Sequence, residues 1–208
     1  MQGHLSVTLI LIVINVAFSF AAFNQQALKN RFMFNPYMVK HRNEWWRLFT
    51  GGFLHADMMH LAFNMFTLYS FGNLVEGAAF VQLFEAKAPL YFAGLYIGGL
   101  LFADIYALEK HKNDIWYNAL GASGAVSAVV FSSILMMPTQ VEIFGFPSFV
   151  YGILYIIYSV YAGNRGKDNI GHGAHLGGAV FGLIYTFIVY PEVGQMFIYH
   201  VQTALGNY

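Results

Sequence analysis

Residues 121–137 read GASGAVSAVVFSSILMM, a run of small and apolar residues that opens with Gly-Ala-Ser-Gly and ends before Pro138. The run has no charged residue and is about as long as an α-helix must be to cross the hydrocarbon core of a bilayer. The whole chain has the same character, since 58% of its 208 residues are hydrophobic, 10% are charged and the mean hydropathy is +0.53. These values exclude an ordinary soluble domain and predict an integral membrane protein.

Five more apolar segments flank this run. The predicted fold is an all-α bundle of six transmembrane helices that form a single membrane domain over residues 1–208. The helices are predicted at about 5–23, 57–75, 89–107, 120–137, 147–163 and 172–190. Four of the five prolines fall at these helix ends, where a missing N–H costs least. The loop 24–50 mixes basic and aromatic residues and is predicted to lie in the membrane interface.

Three polar clusters begin the second, fourth and sixth segments. If the segments cross the bilayer in order, these three run in the same direction, so their starting ends lie at one depth on one side. Polar groups are costly in hydrocarbon, and a cluster at matched depth therefore predicts a functional site. The clusters are His55, His60 and Asn64; Gly121, Ser123 and Gly124; and His175 with Gly178 and Gly182 behind it.

Ser123 lies at the start of a predicted helix, where amide N–H groups without helical partners and the helix dipole favour developing negative charge. By itself, a Gly-Ala-Ser-Gly sequence is more often a packing contact or a helix cap. His175 is followed at three and seven positions by glycines, which form a face on which another helix can pack closely. An imidazole pressed against the fourth segment can take the Ser123 proton as a general base. The pair predicts a serine protease that works inside the membrane.

The second segment supplies two further polar side chains on one helical face, because His60 and Asn64 are four residues apart. An imidazole and an amide can hold an oxyanion together with the Ser123 backbone N–H. Hydrogen bonding between helices is the alternative interpretation of this pair. His55 is offset from His60 by five residues and is assigned a structural role.

A metal site and a catalytic triad are the alternatives to a simple dyad. The chain has no cysteine, which excludes a thiolate nucleophile or ligand. Four histidines could in principle surround an ion, namely His55, His60, His172 and His175. There is no His-Glu-x-x-His motif, and neither a metal nor another cofactor is predicted. Asp104 and Asp168 are candidate third residues by proximity only, so a Ser–His dyad is the simpler proposal.

The distribution of basic residues over the loops does not decide the orientation of the chain in the membrane. With the N-terminus in the cytoplasm, every Lys and Arg except Lys87 falls in a loop on the outer side, which reverses the positive-inside rule. Five of these nine basic residues lie in the loop 24–50, and a loop folded into the interface is not a simple translocated loop. The convergence of the three clusters holds for either orientation.

Together, these residues resemble the rhomboid intramembrane serine proteases, in the compact six-helix form common in bacteria. The resemblance covers nearly the whole chain, and the joint order and helix placement of its motifs are specific. It rests on Trp46-Arg47, on His55 with His60 and Asn64, on Glu76, on Gly121-Ala122-Ser123-Gly124, and on His175-Leu176-Gly177-Gly178 with Gly182.

For the site, the resemblance implies that Ser123 is the nucleophile and His175 the base, with His60 and Asn64 in the oxyanion hole. One departure is Ser127, one turn after the nucleophile, where some members of the family carry an aromatic residue that stacks on the histidine. We therefore expect other packing to position the histidine in this chain.

For the surroundings, the resemblance implies that Trp46 and Arg47 belong to a loop inserted sideways into the membrane and that Glu76 braces the inner end of the second helix. It also implies a bacterial inner membrane, a cytoplasmic N-terminus and a cavity open to the extracytoplasmic side. The expected partners are the lipid bilayer and transmembrane protein substrates. A formal net charge of zero gives no indication of nucleic acid.

Cleavage is expected after small residues such as alanine, because the glycines beside Ser123 allow a substrate backbone to approach closely. The fifth helix, or the segment from Asn164 to His172, is a candidate gate. Two other functions are compatible with a helical membrane protein of this kind. A catalytically silent adaptor of the same fold would be expected to lose the serine or the histidine, and a transporter would be expected to show paired repeats.

Overall fold

The computed structural model describes residues 6–143, 145–165 and 171–206, and this part of the chain is predominantly α-helical. The long helices are α1 (Val7–Phe23), α5 (Met58–Gly72), α7 (Ala88–Lys110), α8 (Ser123–Met136), α9 (Ser148–Arg165) and α10 (His172–Val189). The shorter ones are α2 (Gln26–Phe32), α3 (Pro36–Arg42), α4 (Arg47–Thr50), α6 (Val81–Phe84) and α11 (Val193–Ala204). Two short strands, β1 (Glu142–Ile143) and β2 (Phe146–Pro147), pair antiparallel before α9.

The all-α class predicted from the sequence is confirmed, and the six long helices overlap the six predicted segments. Three boundaries differ by about three residues: α7 continues to Lys110 and does not end near Ala107, and the other two differences have a local cause. The second segment does not end near Val75, because a π-helical stretch, Asn73–Phe80, carries the chain on into α6. The fourth begins at Ser123 and not at Leu120, because Gly121 adopts a φ of +126°, which no right-handed helix contains.

Length and apolar composition single out two stretches of the described chain as able to cross a membrane, Met58–Lys110 and His172–Val189. The first of these contains both α5 and α7. The apolar helices Val7–Phe23, Ser123–Met136 and Ser148–Gly163 fall below that length.

Helix α8 forms the centre of the bundle. Every residue from Gly124 to Met136 is buried, and α5, α7, α9 and α10 all contact it. Small residues permit this close approach: a Cβ atom placed on Gly99 of α7 would lie 2.6 Å from the Cβ of Ala128. Such small-residue contacts are how helices associate where there is no water to expel.

The outer surface of the bundle is strongly apolar, whereas several polar side chains are buried. Phe63 is 73% exposed, and Leu90 and Ile188 are each 72% exposed. Asn15 and Thr186, by contrast, are completely buried, and Thr186 donates a hydrogen bond to the Oγ of Ser132 over 2.7 Å. A surface of this kind suits contact with lipid tails and not with water.

The buried carboxylate of Glu76 holds the beginning of α1. It accepts hydrogen bonds from the backbone N–H groups of Val7 (2.7 Å) and Thr8 (2.8 Å) and from the hydroxyls of Ser6 and Thr8. Negative charge is favourable at a helix N-terminus, where amide groups have no partner within the helix. Glu76 therefore ties the first helix to the end of the second.

Replacing this carboxylate tests that role. We expect Glu76→Gln to destabilise the protein by about 1.5–3 kcal/mol, because hydrogen bonds to a charged group become hydrogen bonds to a neutral one and one oxygen becomes a donor facing donors. The measurement is the thermal unfolding midpoint in detergent. Glu85→Gln, at an exposed position, is the matched control and should leave the midpoint unchanged. Equal midpoints for the two variants would contradict this role of Glu76.

Candidate active site

The chain before α8 is fixed in place by the first loop. Phe34 and Ala119 exchange two backbone hydrogen bonds of 2.9 Å, and the Gly121 N–H donates to the carbonyl oxygen of Gly51 over 3.0 Å. The turn at Gly121 then brings Ser123 into position as the first residue of α8. The loop and the nucleophile candidate are thus parts of one hydrogen-bonded unit.

His55, in the loop before α5, supports the residue that precedes Ser123. Its Nε2 accepts a hydrogen bond from the Ala122 N–H over 3.4 Å, so its Nδ1 carries the proton and donates to the Ser19 Oγ, 2.9 Å away. Ser19 in turn donates to the carbonyl oxygen of Phe53 over 3.2 Å. Burial, with a further contribution from His60 and an opposing one from Asp57, lowers the pKa of His55 to about 3. His55 is therefore neutral and links Ser19 of α1 to the turn before Ser123.

His60 packs directly against the turn before Ser123. A Cβ atom on Gly121 would lie 2.7 Å from the Cε1 and 2.9 Å from the Nε2 of His60, so only glycine fits there. The His60 Nδ1 lies 3.5 Å from the N–H of Ala56 as its acceptor, which leaves the Nε2 side of the ring as the donor. Asn64 is 4% exposed and donates its amide to the carbonyl oxygen of His60 over 2.9 Å.

Helices α8 and α10 meet at glycines next to the proposed dyad. A Cβ atom on Gly178 would lie 1.9 Å from the carbonyl oxygen of Gly124, and one on Gly182 would lie 2.2 Å from that of Ala128. Because Gly124 follows Ser123 directly and Gly178 is three residues after His175, this contact brings the starts of the two helices side by side.

The site residues converge on one cavity. It has a volume of about 1050 Å³. Six of the residues predicted from the sequence line it, namely His60, Asn64, Gly121, Ser123, Gly124 and His175. The other six predicted residues do not line it: His55 and the two glycines of α10 lie as described above, Glu76 contacts the start of α1, and Trp46 and Arg47 lie in the first loop.

Trp46 and Arg47 lie in the first loop, outside the cavity wall. The Trp46 ring is 47% exposed on the outer surface. The Arg47 side chain is buried and donates to the carbonyl oxygens of Asn30 (2.9 Å) and Met33 (2.8 Å), and it forms an ion pair with Glu44. Arg47 thus holds the loop together from inside, while Trp46 faces outward.

Tyr155 of α9 is a cavity residue that the sequence did not single out. Its ring stacks on the imidazole of His175, with centroids 6.2 Å apart and planes inclined by 29°. Its hydroxyl lies 3.2 Å from the Oγ of Ser127. Four tyrosines occur along α9, and no spacing rule marks this one, so the sequence carries no signal for its role.

Two aspartates, Asp104 and Asp168, are the candidates for a third catalytic residue. Asp104 of α7 lines the cavity wall. Asp168 lies outside the described residues, as do residues 166–170 of the segment considered as a gate. In the described parts of the chain, no group of three or more His, Asp or Glu side chains is arranged to hold a metal ion.

Fold and site together define a class: a helical membrane protein whose bundle contains a cavity lined by a serine and a histidine. Comparison with known proteins agrees, because the family model of the Rhomboid domain matches residues 42–192. The chain belongs to the rhomboid family, as the sequence motifs predicted, and is accordingly a polytopic integral membrane protein.

Curated relatives come from bacteria and from eukaryotic organelles. The rhomboid protease AarA of Providencia stuartii is 26% identical over 215 residues, which cover 91% of this chain and 75% of the relative. RHOMBOID-like protein 12, mitochondrial, of Arabidopsis thaliana is 29% identical over 181 residues, or 78% of this chain. The chain spans about half of that relative's length, 51%. The human presenilin-associated rhomboid-like protein, mitochondrial, is 27% identical over 139 residues, covering 64% of this chain and 35% of the relative.

The glycine contact between α8 and α10 can be tested directly. We expect Gly178→Ala to destabilise the protein by about 1–3 kcal/mol or more. The Cβ atom of the alanine would overlap a backbone oxygen that cannot move without separating the helices. Gly173→Ala on the same helix is the control: its Cβ would lie 3.3 Å from the Tyr106 ring, which is exposed and able to shift. Thermal unfolding in detergent measures both. The contact is unimportant if the two variants unfold at the same temperature.

Proposed function

We propose that this protein is an intramembrane serine endopeptidase that hydrolyses peptide bonds in or near transmembrane segments of membrane proteins, with Ser123 as nucleophile and His175 as general base. One observation carries the proposal: Ser123, the first residue of α8, and His175, in the first turn of α10, lie on helices that meet at Gly124 and Gly178, and both line the same cavity. Membership of the rhomboid family and the similarity to a bacterial rhomboid protease support it.

In the proposed reaction, the Ser123 Oγ attacks the scissile carbonyl carbon while His175 takes the hydroxyl proton. The tetrahedral intermediate collapses, and His175 returns that proton to the leaving amine as the peptide C–N bond breaks. Water, deprotonated by His175, then attacks the acyl–Ser123 ester and releases the new carboxyl group. The serine and the histidine end the cycle in their starting states.

The developing oxyanion would be held at the start of α8. The Ser123 N–H is among the first amides of that helix, which have no partner within it. His60 presents the Nε2 side of its ring towards Gly121, two residues before Ser123, and Asn64 contributes a side-chain amide to the cavity wall. Preorganised donors of this kind act where charge develops in the transition state.

The proposed substrate is a transmembrane segment that unwinds locally, since helical carbonyls are hydrogen-bonded and shielded from attack. Gly121 and Gly124 line the cavity beside Ser123, which favours small residues before the cleaved bond. We further propose that all six long helices cross the bilayer and that the cavity opens to the extracytoplasmic side of a bacterial inner membrane. The buried, internally paired Arg47 supports this orientation, because it removes one basic residue of the first loop from the charge count.

Cleavage of a transmembrane reporter by purified protein in detergent tests the dyad. We expect Ser123→Ala and His175→Ala each to lower the cleavage rate by at least about 10³-fold, because the two residues act as a unit. Ser133→Ala is the matched control: this serine is buried in the same helix, and its Oγ has no hydrogen-bond partner in the described chain. It should retain the wild-type rate.

Two results would refute the proposal. Cleavage that survives both substitutions would place the chemistry at another site. A folded wild type that cleaves none of a varied set of reporters would favour a non-catalytic adaptor.

The oxyanion role of Asn64 has a control in the same helical stretch. We expect Asn64→Ala to reduce kcat by about 10²–10³-fold with a smaller change in KM, because the lost donor acts in the transition state. Asn73 makes the same local bond, donating to the Tyr69 carbonyl oxygen four residues earlier over 2.7 Å, but it is exposed and outside the cavity. Asn73→Ala should keep wild-type kinetics. Equal losses in the two variants would assign Asn64 to helix structure alone.

A further inference from the structure

The imidazole proposed as the base is flanked by aromatic rings from two directions. The His172 ring, one turn earlier on α10, meets the His175 ring edge-on at 6.2 Å and 79°. The Tyr155 ring from α9 lies nearly parallel to the His175 ring, at 6.2 Å and 29°. Of these two neighbours, only Tyr155 belongs to a different helix from the histidine.

Tyr155 is itself held at both ends. Its hydroxyl lies within hydrogen-bond distance of the Oγ of Ser127, on the turn of α8 that follows the nucleophile. Its ring also packs against Phe131 of α8, with centroids 5.7 Å apart. Tyr155, on α9, therefore contacts both α8, which carries Ser123, and α10, which carries His175.

A large residue at position 127 would compete for this space. Ser127 is small and buried, and the tyrosine hydroxyl reaches its Oγ. The small side chain of Ser127 on α8 thus leaves room for the large side chain of Tyr155 on α9. The stacking partner of the base is supplied from α9 and not from the helix that carries the nucleophile.

We propose that Tyr155 is a positioning residue for His175, which holds the imidazole in the orientation needed to take the Ser123 proton. The inference rests on the proposed function and adds to it a residue on α9. Since a displacement of about 1 Å at a catalytic group can cost about 10²-fold in rate, a stacking ring on the base is expected to affect kcat more than substrate binding.

The test compares three variants with wild type. Tyr155→Leu removes the ring, Tyr155→Phe keeps the ring and loses the hydroxyl, and Tyr91→Leu, the control, removes a half-buried tyrosine of α7 that stacks on Phe84 and does not line the cavity. Two quantities are measured: kcat and KM for the transmembrane reporter, and the rate at which diethyl pyrocarbonate modifies His175, mapped by mass spectrometry. The second measurement does not depend on activity, and unfolding midpoints exclude loss of fold.

We expect Tyr155→Leu to lower kcat by about tenfold or more with KM within about twofold of wild type. We also expect it to raise the modification rate of His175 at least about threefold, because the ring that α9 packs against the imidazole is gone. Tyr155→Phe should restore both quantities to within about threefold of wild type, and Tyr91→Leu should leave both unchanged.

The outcomes separate this inference from the proposed function. Cleavage that persists in Ser123→Ala overturns the proposed function. Serine-dependent cleavage with an unchanged kcat and an unchanged His175 modification rate in Tyr155→Leu overturns the role of Tyr155 only. A Phe variant as impaired as the Leu variant also overturns it, since the stacked ring would then not be the part that matters.

Discussion

The contact between α8 and α10 is the constraint on which the rest of this structure depends. At Gly124–Gly178 and again at Ala128–Gly182, the two backbones approach so closely that no Cβ atom fits between them. In a membrane, helices associate through such packing and not through expulsion of water. The register of this contact brings the helix starts side by side, so a serine on one and a histidine on the other face a common cavity. The geometry of the proposed dyad is thus set by glycines that take no part in chemistry.

The remaining polar residues serve this arrangement by satisfying each other inside an apolar bundle. Glu76 accepts hydrogen bonds from the beginning of α1, and Arg47 donates hydrogen bonds to backbone carbonyl groups of the first loop. The neutral His55 connects Ser19 to the turn before Ser123. Unsatisfied polar groups are expensive where water is scarce, so each of these bonds fixes one element against another. Together these hydrogen bonds support the part of the cavity wall that Ser123 and His60 line.

Much of this was predictable from the sequence, for reasons that particular residues show. Apolar length and proline placement located the six long helices, and parity alone predicted that His60, Ser123 and His175 would converge. Local backbone geometry was not predictable: the positive φ of Gly121 delays the start of α8, and the π-helical stretch from Asn73 has no sequence signature. Tyr155 was also missed, because the choice among the tyrosines of α9 depends on how that helix is rotated against α10.

Active-site labelling tests directly whether Ser123 and His175 form a catalytic dyad. Wild-type protein in detergent is treated with a fluorophosphonate, which reacts with activated serine hydroxyls, and the modified residue is identified by peptide mass spectrometry. We expect a single adduct on Ser123 that forms far more slowly in His175→Ala. An adduct on another serine, or equal labelling with and without His175, would contradict the claim that these two residues form a catalytic dyad.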